Sequence, residues 1–299
     1  MRYSISDLEQ LSGVHAHTIR MWEQRYNALN PHRSAGNTRF YDDEHLKRLL
    51  NIVSINKKGL KISKICALSN QEIKDLIDEQ ILSTKNSEQG LEFYISQLIN
   101  AGLNYDEKEF SLLLDECISL HGLSKTYVEI IYPLLVRLGL MWQKDSICTA
   151  QEHFLTHIIR QKIFLAIGEV EFTDQSTEKW LLFLPENETH EIGILFANYL
   201  LRKAGKRVIY LGANVPSSAV NDVVKSTKIN CLLLFMVQTK LDEHLQTYLM
   251  QISNQFSHLT IYIAGSSALF KGVELPKNII HIATINQLES MINPRTNVH

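Results

Sequence analysis

Hydrophobic positions along this chain follow two different periods, and the change of period near residue 179 divides it. Up to about residue 168, apolar residues recur every three or four positions, which predicts amphipathic helices. The first two such sets are short and close together: Ile5, Leu8 and Leu11, then Ile19, Trp22 and Tyr26. Beyond residue 179, short continuous apolar runs alternate with helical stretches. The pattern therefore predicts a helical N-terminal part and an α/β C-terminal part.

Turn-forming residues separate the N-terminal helices. Gly13 lies between the first two helical sets, as in a helix-turn-helix unit. The stretch 29–41 is rich in Pro, Gly, Asn and Arg and predicts either a loop or a two-stranded wing. Helical periodicity resumes over 42–65, where three carboxylates near the start suit the helix dipole. A further short helix is predicted over 70–81.

Two polar segments, 85–90 and 168–177, predict domain boundaries. Four helices of ordinary length fit between them, with Gly122 and Gly139 as expected breaks, so we expect a four-helix bundle. The predicted organisation is a multidomain α plus α/β protein with a winged helix-turn-helix over 1–84, the bundle over 85–170 and an α/β domain over 171–299.

The C-terminal apolar runs predict a doubly wound parallel sheet, because strands buried on both faces alternate there with helices. The predicted strands are 180–184, 207–212, 230–237, 259–265 and 279–284. Such sheets bind ligands at the carboxyl ends of their strands. The segments at those ends are 185–193, 213–218, 238–240 and 265–267.

Composition narrows the class of protein. Of the 299 residues, 45% are hydrophobic and 21% charged, as in ordinary globular domains. The longest apolar runs are too short to span a bilayer, and the N-terminus does not resemble a secretory signal, so we expect a cytoplasmic protein without a membrane segment. The four cysteines form no closely spaced pair and are expected to be reduced thiols. They are Cys66, Cys117, Cys148 and Cys231.

The net charge of −2 conceals an asymmetry. Residues 1–64 hold 11 Lys+Arg against 6 Asp+Glu, whereas the rest of the chain holds 19 against 26. A basic arm joined to an acidic body favours nucleic acid as a partner. A mildly basic helical surface without a partner is the alternative that charge alone leaves open.

The residues of the arm carry a resemblance to the MerR family of transcription regulators, over about the first 75 residues. The matching features are Ser12-Gly13-Val14, Thr18-Ile19-Arg20, Glu23, Pro31, Arg33 and Arg39-Phe40-Tyr41. The segment from Trp22 to Tyr26 is similar to the subgroup that carries cobalamin-type effector domains. No cysteine pair like that of metal-sensing members occurs, so metal sensing is not expected.

The resemblance implies that Thr18 and Arg20 meet bases in the major groove, whereas Arg33, Asn37 and Arg39 on the wing meet phosphates. Ile19 and Trp22 are expected in the core instead. The complete set of predicted DNA-binding residues is Thr18, Arg20, Arg25, Tyr26, Arg33, Asn37, Arg39 and Tyr41.

Glu188, His190 and Gly193 resemble the Asp-x-His-x-x-Gly motif of flavodoxin-like cobalamin-binding domains. The resemblance implies that His190 coordinates cobalt from below, that Glu188 fixes the imidazole tautomer, and that Gly193 lets the backbone pass close to the corrin. Trp142, followed after nine residues by Glu152-His153, is similar to the helical cap of light-responsive cobalamin-dependent repressors. In that family these side chains line the upper face of the corrin.

Three residues depart from the pattern. Gln143 replaces the histidine that captures cobalt in light-sensing members, Val237 replaces a serine near the nucleotide tail, and Ser266 replaces the second glycine of a pair. The implied cofactor-binding set is Trp142, Glu152, His153, Glu188, His190, Gly193, Thr239, Gly265 and Ser266, with His190 as the cobalt ligand.

Three functions remain open at this point. The first is a regulator in which a cobalamin, expected to be adenosylcobalamin, controls homo-oligomerisation to a dimer or tetramer and binding to double-stranded operator DNA, expected to be an inverted repeat. The second keeps the DNA arm but makes the effector half a degenerate domain that binds a partner protein. The third is a corrinoid methyl-transfer protein or mutase fragment. A basic winged helix would have no role in that third function. We therefore do not expect the chain to be an enzyme.

Overall fold

A computed structural model describes residues 2–34, 36–56, 60–69, 71–73, 76, 88–143, 148–171, 177–237 and 245–292. The chain forms two compact units, Met1–Ile159 and Arg160–His299, which are treated separately below.

The N-terminal arm contains the predicted helix-turn-helix and wing. Its elements are α1 (Ile5–Ser12), α2 (Ala16–Tyr26), β1 (His32–Arg33), β2 (Arg39–Phe40), α3 (Asp43–Asn56) and α4 (Ile62–Cys66). Ser4 and Asp7 form a reciprocal capping box at the start of α1, and Gly13 ends it in the left-handed conformation, with φ 69°. Strands β1 and β2 pair antiparallel, so the stretch rich in Pro and Gly forms a wing rather than a loop.

The core of the arm consists of apolar side chains at the positions that the helical period predicts. Leu8, Leu11 and Ile19 are each at most 1% exposed, and Trp22 is also buried. The expectation that Ile19 and Trp22 belong to the core is therefore confirmed. An isolated antiparallel bridge between Tyr3 and Tyr41 attaches the N-terminus to the end of the wing.

The helical pattern over 42–65 forms two helices rather than one. Helix α3 ends at Asn56 and α4 begins at Ile62. The side-chain amide of Asn56, the last residue of α3, donates a hydrogen bond to the carbonyl of Leu60 at 2.9 Å. This bond holds the chain that precedes α4 against the end of α3. Of the helix predicted over 70–81, residues 71–73 and 76 are helical, with Ser69 and Glu72 bonded as a cap, and the rest lies outside the described residues.

The region after residue 88 is helical, as predicted. It contains α5 (Glu88–Leu103), α6 (Glu107–Thr126), a π-helical turn (Tyr127–Ile131), α7 (Tyr132–Gln143) and α8 (Thr149–Gly168). Gly122 breaks α6 with φ 74° and ψ 158°, as expected. Gly139 does not break its helix, because α7 continues through it. Leu155 of α8 packs directly on Gly102 of α5, where a Cβ atom would clash.

The second unit is the predicted doubly wound α/β domain. Its elements are β3 (Lys179–Pro185), α9 (Ile192–Lys203), β4 (Arg207–Val215), α10 (Ser217–Ser226), β5 (Cys231–Met236), α11 (Leu245–Gln255), β6 (Thr260–Gly265), β7 (Ile279–Ile282) and α12 (Ile285–Ile292). The strands are all parallel in the order β4-β3-β5-β6-β7, the flavodoxin-like order.

The sheet is covered on both faces. Leu181 and Phe183 of β3 and Leu234 of β5 share a buried cluster with Val220 of α10 and Leu249 of α11. Helices α9 and α12 pack together beside the sheet. No helix of the described residues is long and apolar enough to cross a membrane.

One expected helix is absent from the described second unit. Residues 266–278, between β6 and β7, form turns instead of a helix. Gly272, with φ 80°, and Pro276 interrupt this stretch. The side chains of Leu269 and Phe270 join the buried cluster there, so turn residues supply packing that a helix would otherwise provide.

Candidate functional site

The strand order reverses between β3 and β5, which are neighbours in the sheet although β4 lies between them in sequence. At such a switch point the loops after the two strands diverge and leave a crevice at the carboxyl edge. The loop after β3 carries Glu188 and His190, and Val237 follows β5 directly. The topology therefore brings the predicted motif to the place where doubly wound sheets bind ligands.

Glu188 is the organising residue of this edge. It is only 1% exposed, and its Oε1 accepts hydrogen bonds from the backbone N–H groups of Thr189 and His190, at 2.9 and 3.0 Å. Its Oε2 accepts one from the N–H of Val237, at 2.8 Å. One buried carboxylate thus joins the loops on both sides of the switch point.

Glu188 also orients the imidazole of His190. The Nδ1 atom lies 2.6 Å from Oε1 of Glu188, and the His190 side chain is 47% exposed. A carboxylate in this position favours the tautomer with the proton on Nδ1, which leaves the lone pair on Nε2. An exposed imidazole oriented in this way has the chemistry of a ligand for a transition metal.

Two predicted glycines have structural partners within the domain. A Cβ atom at Gly193 would lie 2.8 Å from Cε1 of Phe235, so this glycine permits close packing of α9 on β5. A Cβ atom at Gly265 would lie 2.7 Å from the carbonyl oxygen of Met236. The structure thus gives Gly193 a partner within the domain, the ring of Phe235, and its close approach to a corrin stays a prediction.

The remaining predicted cofactor residues come from separate parts of the sequence. Ser266 is exposed in the turn after β6, where its hydroxyl accepts from the N–H of Ala268. Glu152 is half-buried and His153 exposed, both on α8. Trp142 lies on α7, but its side chain, like that of Gln143, lies outside the described residues, as does Thr239.

Sequence reasoning missed a second polar group beside the motif. Arg160 forms an ion pair with Oε2 of Glu191 at 2.7 Å, and the hydroxyl of Tyr210 donates to Oε1 of the same carboxylate at 2.5 Å. Burial and this hydrogen bond raise the pKa of Tyr210. Glu191 directly follows His190, but nothing in the local sequence indicates its distant partners.

Several exposed cations of the arm lie on α2 and the wing. Arg20 and Arg25 of α2 are exposed, and Thr18 and Tyr26 are half-buried. On the wing, Arg33 donates to the Asn37 side chain at 2.6 Å, and Asn37 has the left-handed φ of 58° that the turn requires. These positions suit the predicted division between base contacts from the helix and phosphate contacts from the wing.

Tyr41 does not suit the role predicted for it. Its side chain is 0% exposed, and its hydroxyl donates to Oε1 of Glu23 at 2.7 Å. Burial and this bond raise the pKa of Tyr41. Glu23 also lies 3.8 Å from Nε of Arg39. Because a fully buried side chain cannot contact DNA, Tyr41 is a residue that joins the wing to α2.

A cation that sequence reasoning missed lies against the wing. The guanidinium of Arg2 is 3.9 Å from the centroid of the Phe40 ring, a cation–π arrangement. Arg2 is exposed and adds positive charge beside Arg33 and Arg39. Its place in the sequence, before the first helix, gave no indication of this contact.

Two family models match separate segments of the chain. Residues 3–79 match the family model described as MerR HTH family regulatory protein. Residues 94–166 match that of the B12 binding domain.

Among curated proteins, the HTH-type transcriptional repressor CarH of Myxococcus xanthus is 25% identical over 94% of each chain. The ZntR homolog of Haemophilus influenzae, an HTH-type transcriptional regulator, is 30% identical over 37% of this chain and 90% of its own length. Among solved structures, the monomethylamine corrinoid protein of Methanosarcina barkeri shares the fold, with a TM-score of 0.53 at 13% identity over 65% of this chain and 94% of its own. The chain belongs to the MerR family of DNA-binding transcription regulators and carries a B12-binding domain.

Proposed function

We propose that this regulator binds adenosylcobalamin and that the bound cofactor controls its oligomeric state and its binding to operator DNA. The observation that carries the proposal is the buried Glu188, which orients His190 at the switch point of the sheet. The match of residues 94–166 to the B12 binding domain supports the same cofactor.

In this proposal His190 would hold the cobalt through Nε2, and Glu188 would accept a hydrogen bond from Nδ1–H, which raises the basicity of the imidazole. When bound, adenosylcobalamin supplies a cobalt ion with an exchangeable ligand. From the resemblance to cobalamin-dependent repressors, Trp142, Glu152 and His153 are proposed to contact the cofactor, as are Thr239, Gly265 and Ser266. Gln143 is a poor cobalt ligand, so capture of cobalt by a second histidine at that position is not part of the proposal.

The residues of the N-terminal arm support double-stranded DNA as the partner. Thr18, Arg20, Arg25 and Tyr26 of α2 are proposed to meet the major groove, and Arg33, Asn37 and Arg39 the phosphates. One such arm makes too few base contacts for strong selectivity, so a dimer or tetramer on an inverted repeat is expected. Ligand-driven assembly would raise DNA affinity through effective concentration.

We assign no enzymatic activity to the chain and place it in the cytoplasm, with its DNA. A methyl-transfer protein or mutase would share the corrinoid fold, but the basic winged helix would serve no purpose in either.

The test is to incubate the purified protein with adenosylcobalamin in the dark, remove free ligand by desalting and record the visible spectrum of the protein fraction. We expect retained pigment, and in the His190→Ala variant an altered cobalt spectrum or loss of pigment. His258→Ala is the matched control, because this exposed histidine precedes β6 and lies at the opposite edge of the sheet. Sedimentation of the same samples should show ligand-dependent assembly in the wild type and the control.

A colourless wild-type fraction would contradict cobalamin binding and favour the alternative of a degenerate domain that binds a partner protein. Retained pigment with an unchanged spectrum in His190→Ala would remove His190 as the lower ligand. Retained pigment without any change in sedimentation would contradict the proposed control of assembly.

A further inference from the structure

A cluster of three metal-ligating side chains lies at the base of the wing, remote in sequence from the cobalamin motif. His32 is on β1, Asp42 precedes α3, and His45 is in the first turn of α3. Nε2 of His32 lies 2.8 Å from Oδ2 of Asp42, and Nδ1 of His45 lies 2.5 Å from Oδ1 of Asp42. All three ligand atoms lie within 4.8 Å of one another. We refer to these residues as the His–Asp–His cluster.

The second nitrogen of His45 is held by the protein. Nε2 of His45 lies 2.7 Å from the carbonyl oxygen of Asn30, and a carbonyl only accepts, so Nε2 carries a proton. In the neutral imidazole, Nδ1 then presents a lone pair, which lies 3.3 Å from the backbone nitrogen of Asp42 and 2.5 Å from its Oδ1. Nδ1 is therefore the nitrogen that His45 offers to a cation.

Asp42 offers oxygen ligands to a cation. Both of its carboxylate oxygens face imidazole nitrogens, Oδ2 that of His32 and Oδ1 that of His45.

A fixed cation that lines the same cleft is paired with backbone carbonyls. Arg48 lines the same cleft of about 410 Å³, but its guanidinium donates to backbone carbonyls, those of Ala28 at 3.0 Å and Cys66 at 3.2 Å among them. These bonds direct Arg48 toward the α2–wing connection and α4. The open cleft gives solvent, and ions, access to the ligand atoms.

We propose that the His–Asp–His cluster binds a divalent first-row transition cation, of which Zn²⁺ is the type. Two imidazoles and a carboxylate are a ligand set that zinc accepts, with water in the fourth position. Tetrahedral bonds of about 2.1 Å separate ligand atoms by about 3.4 Å, which requires small rotations of both the exposed His32 side chain and the Asp42 carboxylate. The bond from Nε2 of His45 to Asn30 is the outer-shell contact typical of metal-bound histidines.

Such an ion would attach three segments to one another. His32 belongs to the wing, His45 to α3, and Asn30 to the connection between α2 and the wing. The wing carries Arg33 and Arg39, so the ion would fix the orientation of the proposed phosphate contacts. The site uses no cysteine and is distinct from the cysteine sites of metal-sensing relatives.

The test uses the full chain without an affinity tag, stripped with chelator, and titrates Zn²⁺ at pH 7.5 by isothermal calorimetry. We expect one tight equivalent per chain in the wild type. His32→Ala, at an exposed position, and Asp42→Asn should each weaken that equivalent at least tenfold. His258→Ala, at an exposed position before β6, should leave it unchanged, and Co²⁺ in place of Zn²⁺ should give the visible absorption of a tetrahedral site.

Two results would overturn the proposal. If no tight equivalent appears in the wild type, the cluster is held by hydrogen bonds alone. If the equivalent appears but His32→Ala retains full affinity, the ion is bound elsewhere. Circular dichroism of each variant confirms that it is folded, and the readout does not depend on cobalamin or operator DNA.

Discussion

A carboxylate as deeply buried as Glu188 is stable only when its oxygens are fully paired, because an unpaired buried charge is strongly destabilising. Here one oxygen accepts three hydrogen bonds from Thr189 and His190, and the other accepts one from Val237. The side chain thus determines both the shape of the loop and the orientation of the imidazole. A single residue couples the stability of this edge to its proposed chemistry.

Replacement of Glu188 by Gln should separate these effects. The amide nitrogen of Gln can only donate, so it would face either the N–H of Val237 or the N–H groups of the His190 loop. We expect a loss of about 1–3 kcal/mol in the free energy of unfolding and about 10–100-fold weaker cobalamin binding. Urea unfolding and ligand titration measure the two quantities. Unchanged cobalamin affinity would contradict the role of Glu188 in orienting His190.

Replacement of Tyr41 by Phe tests the reassignment of this residue from DNA contact to structural link. The change leaves Glu23 without one hydrogen bond in a buried place, so we expect a loss of about 1–3 kcal/mol in unfolding free energy. The dependence of DNA binding on salt should stay the same. Tyr132→Phe, at an exposed position on α7, is the control and should change neither quantity. A reduced salt dependence of DNA binding in Tyr41→Phe would contradict the reassignment and indicate that Tyr41 contacts a phosphate.

At the scale of elements, the effect of a glycine on a helix depends on the backbone conformation that the glycine adopts, and not on its mere presence in the sequence. Gly122 adopts φ 74° and breaks α6, whereas Gly139 lies within α7 with open space where a Cβ atom would be. Both are glycines in helical surroundings, and the sequence pattern assigned both the same role. Only the backbone conformation distinguishes them.

The pair Gly122→Ala and Gly139→Ala should therefore have opposite effects. Alanine at 139 reduces the entropy of the unfolded chain and suits a helix, so we expect about 0.5–1 kcal/mol of stabilisation. Alanine at 122 would adopt a strained positive φ, so we expect a loss of about 1–3 kcal/mol. Midpoints of urea unfolding, with unchanged slopes, compare the two variants. Equal shifts of the same sign would contradict this explanation.

At the scale of the whole molecule, the net charge is small because a basic segment and an acidic segment nearly cancel. The basic residues of the first 64 positions include exposed arginines on α2 and the wing, whereas the remainder of the chain is acidic. Attraction to DNA acts locally, because salt screens charges beyond roughly 10 Å. The net charge of −2 is consequently compatible with a DNA-binding regulator.

Two arginines should show different dependences on salt and sequence. Arg33→Ala removes a proposed phosphate contact, so binding should weaken across all sequences and the salt slope should fall by about one. Arg20→Ala removes a proposed base contact and should cost about 1–3 kcal/mol of discrimination between operator and mutated site. Fluorescence anisotropy over a range of salt concentrations measures both. Identical behaviour of the two variants would contradict the assigned roles.

The sequence by itself determined the helix-turn-helix, the parallel sheet and the location of the Glu188–His190 motif, because these depend on hydrophobic period and on residues adjacent in the chain. Tertiary structure alone decided the burial of Tyr41, the contact of Gly193 with Phe235 and the grouping of His32, Asp42 and His45. The physical reason is that burial and ligand geometry depend on groups brought together by folding. Local periodicity contains no information about those distances.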